Sequence, residues 1–226
     1  MLHTLWNTIV FGPLSQLLGW LVSFLPAHDL GLAVVLLTLI IKIILFPLTY
    51  KSLKSQIEMK KIQPEMDAIK KNFPDDKEAQ ARETFALYKK HGINPFSGCL
   101  PIFIQLPILF GLYYVVIAFI GKTSIDISTI FLGITDIKNP SIILALTAGI
   151  TQFVQMYFSP SMQQTTATPA DGQAGFMQFQ MKTMKYVLPV FVTIIALKFS
   201  GIIALYWITS NVVTIFQELI IKKILK

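Results

Sequence analysis

Five apolar stretches follow one another along the chain, at about residues 31–50, 96–120, 141–158, 183–199 and 202–221. Each is close to the roughly 20 residues that a helix needs to cross the hydrocarbon core of a bilayer. Only Ser200 and Gly201 separate the last two, which predicts a tight helical hairpin. The pattern therefore predicts an all-α integral membrane protein, with a five-transmembrane-helix bundle in a core of residues 28–226.

Residues 1–27 are apolar too, but they carry a polar face. Small and polar residues recur there at helical spacing: Thr8, Gly12, Ser15, Gln16, Gly19 and Ser23. This pattern favours an amphipathic helix lying in the membrane interface, with its tryptophans at headgroup level. A sixth span or an uncleaved signal anchor is the alternative. The segment has neither a basic start nor a clear cleavage site, so a cleaved signal peptide is not predicted.

The polar segment 51–93 is predicted to form a helical hairpin outside the membrane. Its first helix has apolar residues at the 3-4 spacing of a packed seam: Met59, Ile62, Met66, Ile69 and Phe73. Pro74, Asp75 and Asp76 then end this helix and cap a second one, with Ala81, Phe85 and Tyr88 on its apolar face. Residues 159–182 are rich in Gln, Thr, Ala, Gly and Pro and are predicted to be a flexible loop.

The distribution of basic residues predicts the orientation. Charged residues make up only 14% of the chain and the mean hydropathy is +0.62, so the net charge of +7 does not indicate a soluble nucleic-acid-binding domain. Fifteen Lys and Arg lie in 51–93, at Lys182 and Lys185, and in the last five residues, against Lys122 and Lys138 on the other side. The positive-inside rule places the hairpin, the 159–182 loop and the C-terminus in the cytoplasm, and the N-terminus outside.

The sequence contains no recognisable catalytic or cofactor-binding motif. One cysteine and three widely spaced histidines exclude an internal disulfide framework and a multi-cysteine metal site. Phosphate-binding glycine loops and nucleophile–base motifs are also missing from the sequence. We therefore predict no catalytic residues, no metal and no cofactor.

Lys42 is the residue that most needs explanation, because it lies inside the first predicted span. A charge at mid-membrane costs about 2.5–3.5 kcal/mol on insertion scales. The first four predicted spans contain no Asp or Glu, and Glu218 lies near the end of the fifth. Lys42 is therefore neutral, paired over a distance with Glu218, or hydrated; a lysine simply tolerated near a helix end is the plainer alternative.

Polar residues share the inner and central depths of the spans with Lys42. Taken singly, each Thr or Gln is more typical of a helix–helix contact. Taken together, they favour a hydrophilic groove that is open to cytoplasm and lipid and sealed on the outside. They are Thr38, Thr49, Gln105, Thr147, Thr151, Gln152, Gln155, Thr209, Ser210, Asn211, Thr214 and Gln217.

Four motifs resemble the YidC/Oxa family of membrane protein insertases, in the short bacterial form. They are LTLIIKIILFPLTYKS (37–52), QPEMDAIKKNFPDDKE (63–78), NPFSGCLPIFIQLPILFGLYY (94–114) and LYWITSNVVTIFQELI (205–220). The resemblance implies a five-helix core around a hydrophilic groove, with a cytoplasmic helical hairpin. The groove residues, carried over as substrate-binding, are Lys42, Thr38, Gln105, Thr151, Gln152, Gln155, Tyr206, Ser210, Asn211 and Thr214. Lysine stands where the family usually has arginine, so substrate attraction is expected to be weaker or more pH-dependent.

The resemblance also implies partners and a location. The partners are nascent membrane proteins, membrane lipids, and the ribosome and signal-recognition targeting machinery at hairpin 51–93, with the Sec translocon as a further one. The location is the bacterial inner membrane. A small secondary transporter or channel, with Lys42 binding an anionic solute, is the alternative function, and a structural scaffold or folding chaperone for other membrane proteins is a third.

Overall fold

The computed structural model describes residues 7–94, 100–122, 127–159 and 173–225. Parts of three predicted elements lie outside these ranges: residues 1–6 of the N-terminal helix, 96–99 of the second span and 160–172 of the loop. Within them the chain is helical except for turns and one two-stranded ribbon. The predicted all-α class is thus confirmed for the described residues.

Nine α-helices and two short strands make up the described fold. The first helix follows a π-helical turn, Asn7–Phe11, and precedes a 3₁₀ turn, Pro26–His28. In chain order the elements are α1 Gly12–Phe24, α2 Leu30–Ile44, α3 Phe46–Lys61, α4 Gln63–Asn72, α5 Lys77–Lys90, α6 Leu100–Lys122, β1 Ile130–Phe131, β2 Thr135–Asp136, α7 Ile142–Phe158, α8 Gln173–Lys198 and α9 Gly201–Ile224.

Among the described residues, two helices are long and apolar enough to cross a membrane, or three spans if a bent pair counts as one. Phe103–Gly121 within α6 and all of α9 meet that condition, and α2 with α3 meets it if the two count as one bent span. The apolar helix α7 is shorter, at 17 residues. Helix α8 has 26 residues. It begins ten residues before the predicted fourth span, so residues 173–182, expected in the flexible loop, are helical.

The first predicted span, 31–50, is not one helix. It breaks at Leu45, where α2 and α3 meet at 60°. Pro47 accounts for the break, since proline has no N–H to donate to the carbonyl four residues earlier and its ring collides with that turn. After the break, α3 continues without interruption to Lys61, so the predicted boundary at residue 51 lies in the middle of a helix.

Helix α1 packs against the bundle through one apolar face. Leu18, Leu21 and Val22 are buried in a cluster shared with α2, α6 and α9. Trp20 and Phe24 stack on each other at 5.7 Å on the opposite, exposed side. A helix is therefore present from Gly12, and most of its apolar residues pack against the bundle; its place in the membrane interface stays a prediction.

The β1–β2 ribbon ties together the starts of two long helices. Asp29 caps α2 by accepting the N–H of Leu32, and its other carboxylate oxygen accepts the N–H of Leu132 at 3.0 Å. Leu132 has a φ of 51°, so this contact holds a conformation that side chains other than glycine rarely adopt. At the same end, Gly201 and Ile202 of α9 donate to the carbonyls of Asn139 and Ile137.

Helices α4 and α5 form the predicted hairpin. The seam is confirmed for Met59, Ile62, Met66 and Ile69, which pack with Leu87, Tyr88 and Ile93. Glu65 closes the open end through His91, at 3.2 Å, and Lys90. Of the predicted face of α5, Tyr88 packs in the seam, whereas the prediction is wrong for Ala81 and Phe85, which are exposed while Ala79 and Leu87 are buried. Both faces are apolar, so periodicity alone could not separate them.

Candidate functional site

Three helices run side by side from the ribbon end of the bundle. Helix α2 starts beside Ser128, α7 is capped by Ser141, and α9 starts beside Asn139. Lys42 lies 12 residues beyond the start of α2 and Thr214 lies 13 beyond the start of α9. At 1.5 Å per residue both are about 18–20 Å from the ribbon end. These two residues therefore reach the same depth.

The ammonium of Lys42 is solvated by the neighbouring helix. Its Nζ donates to Oγ1 of Thr214 at 3.0 Å, and the Thr214 hydroxyl in turn donates to the carbonyl of Ser210. Gln217 donates its side-chain amide to the backbone carbonyl of Lys42 at 2.9 Å. Two polar residues of α9 thus hold both the head group and the backbone of one lysine on α2.

Five polar side chains of α9 form a stripe along the helix. They recur at every fourth residue, which places them on one face of the helix: Tyr206, Ser210, Thr214, Glu218 and Lys222. At one end of the stripe, the Tyr206 hydroxyl is hydrogen-bonded to Gln105 of α6 and to Ser210. At the other end, Lys222 donates to the carbonyl of Phe158, the last residue of α7.

Helix α7 supplies a second branch of polar contacts to α9. Asn211 donates to the hydroxyl of Thr151 at 3.3 Å, and Gln155 donates to Oε1 of Glu218 at 3.1 Å. Gln152 donates to the side-chain carbonyl of Gln155. Gln152, Asn211 and Glu218 are all nearly fully buried. The polar groups of this branch consequently bond to one another and hold α7 against α9, which leaves few of them for a ligand.

A cleft opens beside Lys42 at the break between α2 and α3. The cleft is partly open to its surroundings rather than an enclosed cavity. One wall of the cleft comes from α6 and the other from the broken helix α2–α3. Both walls carry polar and apolar side chains. The lining residues are Lys42, Leu45, Leu48, Thr49, Ser52, Ile104 and Gln105.

The ten residues expected to bind substrate fall into two hydrogen-bonded branches, with one residue in neither. Lys42, Gln105, Tyr206, Ser210 and Thr214 make the Lys42 branch, while Thr151, Gln152, Gln155 and Asn211 make the α7 branch. Thr38 belongs to neither branch. Its hydroxyl donates to the carbonyl of Val34 in the same helix at 2.7 Å.

Three residues of this region were not among the ten expected substrate-binding residues, although Gln217 was expected in the polar groove and Glu218 as a distant partner of Lys42. Ser52 lies beyond the predicted end of the span, yet it lines the cleft. Gln217 and Glu218 lie on α9 and contact Lys42 and Gln155 directly. Gln217 and Glu218 lie three and four residues after Thr214, and this helical spacing was the available sequence signal.

The arrangement offers a cation and several neutral hydrogen-bonding groups next to an open cleft, within an otherwise apolar bundle. Such groups solvate polar peptide and carboxylate groups that have left water. Among the described residues, no group of three or more His, Cys, Asp or Glu side chains could hold a metal ion. The chemistry on offer is therefore binding of polar or anionic groups.

Comparison with known proteins gives a consistent family. A family profile described as 60Kd inner membrane protein matches residues 20–226. Two of the similar proteins are each named Membrane protein insertase YidC. The one from Fusobacterium nucleatum is 34% identical over 216 residues, which are 95% of this chain and 97% of that protein. The one from Oceanobacillus iheyensis is 34% identical over 226 residues, 97% of this chain and 84% of that protein.

Other relatives are much longer. The protein of the same name from Geobacter sp. (strain M21) is 34% identical over 217 residues, 94% of this chain. This chain spans only 37% of the length of that relative. The family profile nevertheless covers α2 to α9, the ribbon and the polar stripe described above, and it places the protein among bacterial inner-membrane proteins. The chain belongs to the YidC/Oxa family, that of the 60Kd inner membrane protein.

Proposed function

We propose that this protein is a membrane protein insertase and chaperone. It would move hydrophilic segments of nascent membrane proteins into the bilayer and release their transmembrane segments to lipid, alone or with the Sec translocon. The observation that carries the proposal is the Lys42 ammonium beside an open cleft, solvated by Thr214 within an apolar bundle. The names of the relatives support the same activity. No observation favours the alternative, a transporter or channel for an anionic solute.

The cleft and the Lys42 branch would form the core of a hydrophilic groove. A polar segment entering from the cytoplasm would exchange water for the groups of Lys42, Thr49, Ser52 and Gln105, which lowers the cost of its desolvation. An acidic residue in that segment would be drawn to Lys42. The groove would be open to cytoplasm and lipid and closed outside by the ribbon end.

The adjoining hydrophobic segment would move along α6. This helix exposes large apolar side chains at the spacing of one helix face, next to the cleft residues Ile104 and Gln105. They are Phe103, Leu106, Phe110, Tyr114 and Ile117. Transfer of the segment into lipid would supply the driving force, at roughly 0.8 kcal/mol per buried methylene. No nucleotide is needed for this step.

The proposed topology has five spans: α2 with the start of α3, α6, α7, α8 and α9. Fifteen basic residues on the side of the helical hairpin support a cytoplasmic location for that hairpin and for the C-terminus, with the N-terminus outside.

The charge of Lys42 gives the first test. With purified protein in liposomes, Lys42→Arg should insert a single-span substrate with an acidic tail at close to the normal rate. Lys42→Glu should slow that substrate about tenfold or more, because the anion in the groove repels the tail. Lys198→Glu makes the same charge change at an exposed position of α8 and should leave insertion unchanged. Normal insertion by Lys42→Glu would refute the charge-attraction mechanism.

The helical hairpin is proposed to meet the ribosome or the signal-recognition targeting machinery. Its surface mixes basic and acidic residues, and Phe85 is an exposed aromatic anchor on α5. Deleting residues 56–88 should reduce insertion in cells that depend on this protein while sparing insertion of added substrate in liposomes. If cells with the deletion insert substrates at the full rate, the hairpin is not the docking element.

A further inference from the structure

Glu218 is a buried acid that the proposed mechanism does not use. It is 4% exposed, on the polar stripe of α9. Its Oε1 accepts from Gln155, whereas Oε2 is buried without a hydrogen-bond partner among the described residues. Asp29, the other acid with a similar exposure, differs: both of its oxygens accept backbone N–H groups. A buried carboxylate oxygen without a hydrogen bond lowers the stability of the fold, so a functional role would account for Glu218.

Two ammonium groups lie to either side of this carboxylate along the stripe. Thr214, which binds Lys42, is one turn before Glu218, and Lys222 is one turn after it. Both lysines attract the carboxylate electrostatically. Their recorded hydrogen bonds nevertheless go to neutral oxygens, the Thr214 hydroxyl and the Phe158 carbonyl. In formal charge, the one carboxylate therefore offsets one of the two cations, and Lys42, Glu218 and Lys222 together carry one net positive charge.

The position of Glu218 between Lys42 and Lys222 has opposite consequences for acidic and basic side chains of an entering segment. A carboxylate that approaches Lys42 must compete with the resident one for the same cation, since like charges one turn apart repel. A basic side chain that enters the cleft is instead repelled less by Lys42 and Lys222, because the Glu218 carboxylate offsets part of their charge. Both effects come from one side chain, so its removal should move the two classes of substrate in opposite directions.

We propose that Glu218 sets the charge selectivity of the groove, as the resident counter-ion of Lys42 and Lys222. The inference rests on the proposed function. It assigns to this chain a specificity-determining residue that weakens the preference for acidic segments and lowers the repulsion of basic ones.

The test uses the purified full chain in liposomes and three single-span substrates. They differ only in the translocated tail, which carries two Asp, two Lys or two Gln. Glu218→Gln should raise the ratio of Asp-tail to Lys-tail insertion about fivefold or more, with the Gln-tail substrate near its normal rate. Glu218→Asp keeps the charge and should restore the normal ratio. Glu78→Gln removes the same charge from an exposed position of α5 and should leave the ratio unchanged.

The outcomes separate the two proposals. If the wild-type protein inserts none of the substrates, the proposed function fails and the inference fails with it. If the wild-type protein inserts them and Glu218→Gln slows all three equally, Glu218 has a purely structural role and only the inference is wrong. A further check is Glu218→Gln in a Lys42→Gln background, where the gain for the Asp tail should shrink because the cation it releases is missing.

Discussion

A charged residue inside an apolar bundle depends on its immediate neighbours. Lys42 has one hydroxyl partner on α9, and its own backbone carbonyl is held by Gln217 of the same helix. The lysine is therefore fixed in place without a carboxylate bound directly to it. A cation that is positioned but not neutralised by direct contact remains able to attract an anion from a substrate.

At the same scale, one glycine decides how closely two helices approach. A Cβ added at Gly149 of α7 would lie 2.0 Å from Oγ1 of Thr193 on α8. That hydroxyl donates to the carbonyl of Pro189 at 2.9 Å and so has little freedom to turn away. Small residues that allow such close approach are typical of helix pairs in membranes.

Gly149→Ala should therefore destabilise the protein by about 1–3 kcal/mol, the usual cost of overpacking. The measurement is thermal unfolding in detergent micelles. Thr193→Ala removes the colliding oxygen, so the double variant should recover a large part of the loss. Simple addition of the two single losses would show that the contact between α7 and α8 is not the cause.

At the scale of elements, the broken helix α2–α3 shapes the cleft. Residues on both sides of the break, Lys42 before it and Leu48, Thr49 and Ser52 after it, line the same space. A straight helix would carry the second group away from Gln105. The 60° bend is thus what brings the predicted first span and the start of the hairpin segment to a single site.

Pro47→Ala should straighten this element, since alanine restores the N–H donor and removes the ring. With spin labels at Ile134→Cys and Lys54→Cys in a Cys99→Ser background, the distance should lengthen by about 4 Å on full straightening, at 1.5 Å per residue. Pro189→Ala alters a proline in α8 and should leave this distance unchanged. An unchanged distance in Pro47→Ala would show that other contacts impose the bend.

At the scale of the whole molecule, the two ends of the bundle have different characters. The ribbon end is tied by backbone hydrogen bonds from α2 and α9 and exposes Ile130, Leu132 and Ile134. The opposite end carries the helical hairpin and most of the lysines. An apolar tied end and a basic projecting end suit the two faces of a membrane, with the basic one inside.

Cysteine labelling measures this orientation. In a Cys99→Ser background, a membrane-impermeant maleimide should label Ile134→Cys in intact cells. Lys71→Cys, on the hairpin, should react only after the membrane is permeabilised. Labelling of Lys71→Cys in intact cells would reverse the proposed topology.

Features that depend on neighbours in the sequence could be read from it. Hydropathy located α6, α7 and α9 to within a few residues, the 3-4 spacing of Met59, Ile62, Met66 and Ile69 located the hairpin contact, and Lys42 stood out as a charge in an apolar run. Periodicity and composition are local properties, and a helix makes its backbone hydrogen bonds locally as well. The same logic failed on α5, where local periodicity allowed two faces.

Only the tertiary structure decided which polar groups meet. Lys42 and Thr214 are 172 residues apart, and nothing local in either segment names the other as partner. The split of the ten expected residues into two branches, the isolation of the Thr38 hydroxyl within its own helix, and the place of Glu218 between two lysines all follow from the packing of α9 between α2 and α7. The sequence determined that a cation lies among polar residues inside the bundle, and the packing of the helices determined what that cation touches.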